Sequence, residues 1–164
     1  MLTAYSEAGY DVVYLDESGF EKQTFRTHGY APVGEKCQAT HNWQKMATRT
    51  NAIGAIREGN LFALRLFYCP IDSDIFYVWL TEALLPELEK PTVIVMDNAA
   101  FHKRQDIIEA IERTEHKILW LPPYSPDLNP IEKTWAWVKS LRKQWRLDCV
   151  DALFFWILTI VSVF

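Results

Sequence analysis

The continuous apolar strand predicted over Pro91–Asp97 constrains this chain more than any other stretch. Thr92-Val93-Ile94-Val95-Met96 has none of the polar–apolar alternation of a half-exposed strand, so it reads as a central strand covered on both faces. Such a strand requires a sheet with helices on each side. A second apolar run, Val12-Val13-Tyr14-Leu15, lies within a buried strand over 11–17 and is followed directly by Asp16. Thr50–Arg57 and Leu61–Cys69 read as two further strands, with Gly59-Asn60 as their hairpin turn.

The rest of the chain alternates. Asp72–Glu89 has helical spacing, with Asp72 or Ser73 as N-cap and Pro86 positioned to kink or end it. Lys103–Thr114 is amphipathic, with Ile107, Ile108 and Ile111 inward; Lys117–Leu121 is another strand, and Pro130–Arg146 a last strong helix. Gly19–Thr48 reads as a polar, irregular excursion. The expected fold is therefore an α/β mixed sheet: a three-strand meander plus two parallel strands, flanked by helices. A right-handed crossover sets the Asp97 strand parallel to the first strand. Asp16 and Asp97 then sit side by side at strand carboxyl ends, where open α/β sheets bind ligands.

A third acid, Glu132, opens the last helix behind Pro122-Pro123-Tyr124-Ser125-Pro126-Asp127-Leu128-Asn129-Pro130. Acids gathered at buried ends repel one another and are costly to desolvate unless a cation holds them. Hard divalent ions take carboxylate oxygens and leave positions for phosphate and water. Asp16, Asp97 and Glu132 are thus candidate metal-ligating and catalytic residues of a phosphodiester enzyme. The bland alternative is that Glu132 closes a capping box with Asn129 as N-cap.

The same helix carries two stripes. Ile131, Trp135, Val138, Leu141 and Trp145 form an expected buried face. Glu132, Ala136, Lys139, Lys143 and Arg146 run beside it, so Lys139, Lys143 and Arg146 are candidate phosphate contacts; a solvated cationic helix end is the alternative. The net charge of −4 argues against a dedicated basic nucleic-acid binder, but Lys133–Arg146 holds five basic residues and no acidic one.

At 164 residues the chain is the size of one domain, and 49% hydrophobic with 23% charged residues describes a soluble globule. The opening residues carry no secretory signal. Cys37, Cys69 and Cys149 form no CxxC pair, which fits a reduced, cytoplasmic setting better than a disulfide framework or a zinc cluster built on Cys37 and His41. Ala152–Phe164 is uncharged and too short to cross a membrane. Residues 149–164 are expected to be a final helix or an apolar tail beyond a domain of residues 1–148.

Leu15-Asp16-Glu17-Ser18, Met96-Asp97-Asn98-Ala99-Ala100-Phe101-His102 and Leu121 through Glu132 together resemble the DDE transposases of bacterial insertion sequences in the Tc/mariner superfamily. The 34 residues between Asp97 and Glu132 suit that group. The resemblance spans roughly residues 11–148. It implies a ribonuclease-H-like fold, a pair of Mg²⁺ or Mn²⁺ ions, and cleavage of element ends with strand transfer into target DNA. It also implies a helix-turn-helix DNA-recognition module or second reading-frame product as a partner, and a homodimer in the active complex. His102 becomes a contact to the scissile strand, with a surface histidine at a helix start as the alternative. Two other functions stay open: a stand-alone nuclease of the same fold, and a truncated, non-catalytic remnant that binds DNA or a partner.

Overall fold

The computed structural model describes residues 2–21, 49–123 and 125–161. Tyr124, Cys37, His41 and most of the expected polar excursion lie outside those residues. Five strands form one mixed sheet in the order β3-β2-β1-β4-β5. β1 (Asp11–Phe20), β2 (Thr50–Arg57) and β3 (Asn60–Phe67) make the antiparallel meander. β4 (Thr92–Met96) runs parallel to β1, and β5 (Lys117–Trp120) parallel to β4.

Every residue of β4 is buried, as its unbroken apolar run requires. On one face of the sheet, Val13, Leu15, Ile94 and Met96 pack beneath Phe76, Trp79, Leu80 and Leu84, with Ile107 and Ile111 beside them. These come from α2 (Ser73–Trp79) with its continuation, and from α3 (Gln105–Glu112). On the other face, Phe20, Ala52 and Ile56 meet Ile131, Trp135 and Val138 of α4 (Ile131–Trp145) and Leu153, Phe154 and Ile157 of α5 (Val150–Val161). A short α1 (Leu2–Glu7), not expected from the sequence, brings Tyr5 against Val93 and Val95.

Several boundaries differ from expectation for physical reasons. β1 runs past Asp16 to Phe20 because pairing with β2 continues to Phe20↔Thr50 and the Phe20 ring is core. The hairpin turn is Glu58-Gly59, one residue early: both have positive φ, 51° and 84°, the pair of values a tight hairpin turn demands. Asp72 does cap α2, its carboxylate accepting from the amides of Asp74 and Ile75. The expected single helix over Asp72–Glu89 instead widens to a π turn at Leu80–Leu84 and ends in a 3-10 turn at Leu85–Glu87, where Pro86 has no N–H to continue it. A 3-10 turn, Ala100–Lys103, precedes α3, which therefore starts two residues late.

α4 departs most. Asn129 does not cap it: its amide Nδ2 donates instead to the Leu15 carbonyl of β1 at 3.2 Å, and no side-chain cap bond is made. The buried face runs Ile131, Trp135, Val138, Arg142, whereas Trp145 is 40% exposed. A buried cation needs partners, and the Arg142 guanidinium donates to the carbonyls of Glu21, Leu147 and Asp148. The C-terminal segment 150–161 is a helix whose inner side belongs to the same core as α4. Among the described residues no helix is long and apolar enough to cross a membrane.

Candidate active site

Pairing between β1 and β4 ends at Tyr14↔Val95. Two residues further in the same register, Asp16 stands level with Asp97, which leaves β4 at its carboxyl end. The alternation of β1 sends Val13 and Leu15 to the α2–α3 face, and Tyr14 and Phe20 to the α4 face. Asp16 therefore faces α4, and Glu17 faces away from it. Glu132 sits in the first turn of α4, and the Asn129–Leu15 hydrogen bond ties that turn to β1 one residue before Asp16. Asp16, Asp97 and Glu132 consequently line one open cleft of about 400 Å³, together with Asn98, Asn129 and the Pro122-Pro123 turn.

Asp16 senses both of the other acids. Burial, and then the charges of Glu17, Glu132 and Asp97, push the Asp16 carboxyl up to about 8. Asp97 moves the opposite way: the hydrogen bond from His102 holds its carboxyl below the usual range despite partial burial. Among the described residues, no three acid, histidine or cysteine side chains are drawn close enough together to grip one metal ion. Asp97 is turned toward His102.

His102 holds both neighbours at once. Its Nδ1 lies 2.7 Å from Asp97 Oδ1 and its Nε2 2.9 Å from Glu17 Oε1. Carboxylates only accept, so both bonds require a proton on each ring nitrogen. Burial alone would lower the imidazole pKa, but the hydrogen bonds and charges of the two acids outweigh it and raise the group to about 9. The ring is 1% exposed and packs against Phe76 and Phe101, centroids 4.3 and 4.1 Å away. The expected contact from His102 to a DNA strand is therefore not one this arrangement offers, because both nitrogens are engaged and the ring is inside. Glu17 is not among the residues that the sequence singles out, because the alternation of β1 points it away from Asp16; the turn after β4 delivers His102 to meet it.

Lys139, Lys143 and Arg146 are all exposed. Lys139 Nζ lies 5.5 Å from the centre of the Phe20 ring. Arg146 has left the helical stripe: it is the C-cap of α4, in the left-handed conformation at φ 52°. Trp135 is core as expected, edge-on to Phe20 and Phe154. Among the described residues, Asn98 Oδ1 and Asn129 Oδ1 are buried without hydrogen-bond partners, and both residues line the cleft. Three carboxylates and two unpartnered amide oxygens form an all-oxygen donor set, which fits a hard divalent cation such as Mg²⁺ or Mn²⁺ and not a soft, thiol-seeking one.

No curated protein matches the sequence. The fold matches the catalytic domain of Mos1 mariner transposase with TM-score 0.67 at 15% identity, covering 98% of this chain and 75% of that one. A pre-cleavage Mos1 transpososome matches with TM-score 0.70 at 16% identity, and a Mos1 paired-end complex with Mg with 0.71 at 17%. The chain is covered to 98% and 99% in these complexes but spans only 52% and 51% of the transposase chains in them. The likeness shows a ribonuclease-H-like sheet shared with that transposase. A family model for the DDE superfamily endonuclease matches residues 11–154, a span that contains all three acids and both faces of the sheet, and the chain belongs to that family of endonucleases.

Proposed function

We propose that this domain is the catalytic part of a Tc/mariner-type transposase, cutting DNA at the ends of its element and joining the freed 3′-hydroxyl to target DNA. The observation that carries this reading is the convergence of Asp16, Asp97 and Glu132 on one open cleft. Asp16, Asp97 and Glu132 would hold the metal, with the free amide oxygens of Asn98 and Asn129 beside them. When bound, a pair of Mg²⁺ or Mn²⁺ ions supplies an activated water and neutralises charge on the leaving 3′-oxygen. Occupation would favour ionised Asp16, whose carboxyl otherwise keeps its proton at neutral pH. Lys139, Lys143 and Arg146 bind backbone phosphates leading away from the cut. Recognition of the element end falls to a helix-turn-helix module or a second reading-frame product, and two copies act on paired ends, a reading supported by the likeness to a Mos1 transposase paired-end complex with left transposon end. With Cys69 and Cys149 free and exposed, the reduced cytoplasm is the compartment that suits the domain.

The test supplies purified domain with a pre-cleaved element end and target DNA, plus Mn²⁺ or Mg²⁺. Strand joining is expected, and Asp97→Asn should abolish it while circular dichroism stays unchanged. Joining in EDTA, or by Asp97→Asn, would sink the mechanism. Hydrolysis without joining would leave a stand-alone nuclease of the same fold.

A further inference from the structure

We propose that Glu17, acting through His102, is a positioning residue that fixes the orientation of Asp97 toward the cleft. This rests on the reading of Asp97 as a metal ligand. Among the described residues, donors reach only one oxygen of that carboxylate: Oδ1 accepts from the Ala99 amide at 3.1 Å and from His102 Nδ1 at 2.7 Å. Two donors on one oxygen lock the carboxylate plane and leave Oδ2 for the cleft. The lock is only as firm as the ring that supplies it. His102 lies in an apolar cage of Phe76 and Phe101, which sets the ring plane but offers no hydrogen bond. A ring nitrogen buried there is costly without a partner of its own, and Glu17 Oε1, 2.9 Å from Nε2, is that partner. Glu17 comes from the strand that carries Asp16, on its opposite face. It is thus badly placed to ligate the ion that Asp16 faces, yet placed to steady the other strand's acid. Groups that orient metal ligands in this way typically change metal affinity or activity about 10–100-fold when removed.

The experiment measures Mn²⁺ binding to the domain by calorimetry without DNA, with circular dichroism and thermal melts as the control for folding. Asp97→Asn should lose measurable binding. His102→Phe keeps the ring shape in the cage and should weaken Mn²⁺ binding about 10–100-fold; Glu17→Ala should weaken it about tenfold. Glu17→Ala added to His102→Phe should cost nothing more, because Glu17 reaches Asp97 only through the ring. His102→Asn, whose amide nitrogen can take the place of Nδ1, should recover much of the loss. Should His102→Phe fail to fold, Glu17→Gln and His102→Asn carry the comparison. Wild-type affinity in Glu17→Ala and His102→Phe, with Asp97→Asn deficient, would overturn this inference alone. Additive losses would make Glu17 a direct ligand and overturn it too. Full affinity in Asp97→Asn would remove the proposed function as well.

Discussion

Two protonated groups, Asp16 and His102, define the centre at the residue scale. Burial and neighbouring acids raise Asp16 from 3.8 to about 8, and Asp97 and Glu17 raise His102 from 6.5 to about 9 against the opposing effect of burial. In both cases the folded state binds its proton more tightly than the unfolded chain, so stability falls as pH rises through these windows. Asp97, lowered from its ordinary 3.8, has the opposite sign and destabilises only at acid pH. Metal-free domain should therefore lose melting temperature steadily from about pH 4 to pH 9. Asp16→Asn removes a charge that the fold resists. It should flatten the lower part of that decline and stabilise the domain at pH 8 by on the order of 2 kcal/mol after solvent screening, about 4–8 °C. Melts across pH with and without the substitution decide it; a melting temperature that rises over this range would contradict the assignment.

At the scale of the element, α4 joins three tasks in fifteen residues. Its first turn presents Glu132, its inner face closes the core, and its outer side carries Lys139 and Lys143 toward the C-cap at Arg146. Arg142, basic in the sequence, is engaged by three backbone carbonyls and is excluded from any DNA contact. Phosphate contacts position a duplex without reading it. Replacing Lys139, Lys143 and Arg146 together by Ala should weaken binding to every DNA sequence alike. The log–log dependence of affinity on salt should become shallower by about 0.9 for each phosphate that is no longer neutralised. Affinity measured against salt for both proteins tests this, and an unchanged slope would make the stripe an ordinary solvated helix face.

For the molecule as a whole, α5 decides whether the α4 face is covered. Leu153, Phe154 and Ile157 complete the core around Phe20 and Trp135, while Phe155 and Trp156 are 67% and 52% exposed. Leu153→Ala should cost about 2–5 kcal/mol in urea unfolding. Phe155→Ser should stay within about 0.5 kcal/mol. Equal, small effects at both positions would mean that the helix contributes nothing to the core. The family match stops at Phe154, within this helix, so the two exposed rings belong to the segment beyond the shared pattern.

Local pattern determined a good deal. The unbroken apolar run of β4, the β2 strand over Thr50–Arg57 and the order of elements were legible because periodicity and length answer to backbone geometry within a few residues. The three acids that line the cleft stood out because each follows an apolar run or opens a helix. Tertiary structure alone decided what their neighbours do. Alternation along β1 says that Glu17 turns away from Asp16. It says nothing of the turn after β4, which brings His102 across 85 positions to meet it. Asn129 has the sequence of a helix cap, but Leu15 of β1 offers its amide a buried carbonyl, and burial settles that competition. Arg142 reads as one more exposed cation until the end of β1 and the turn after α4 surround it with carbonyls. A side chain's partner across a sheet is chosen by packing of the whole chain, and no window of neighbouring residues contains that information.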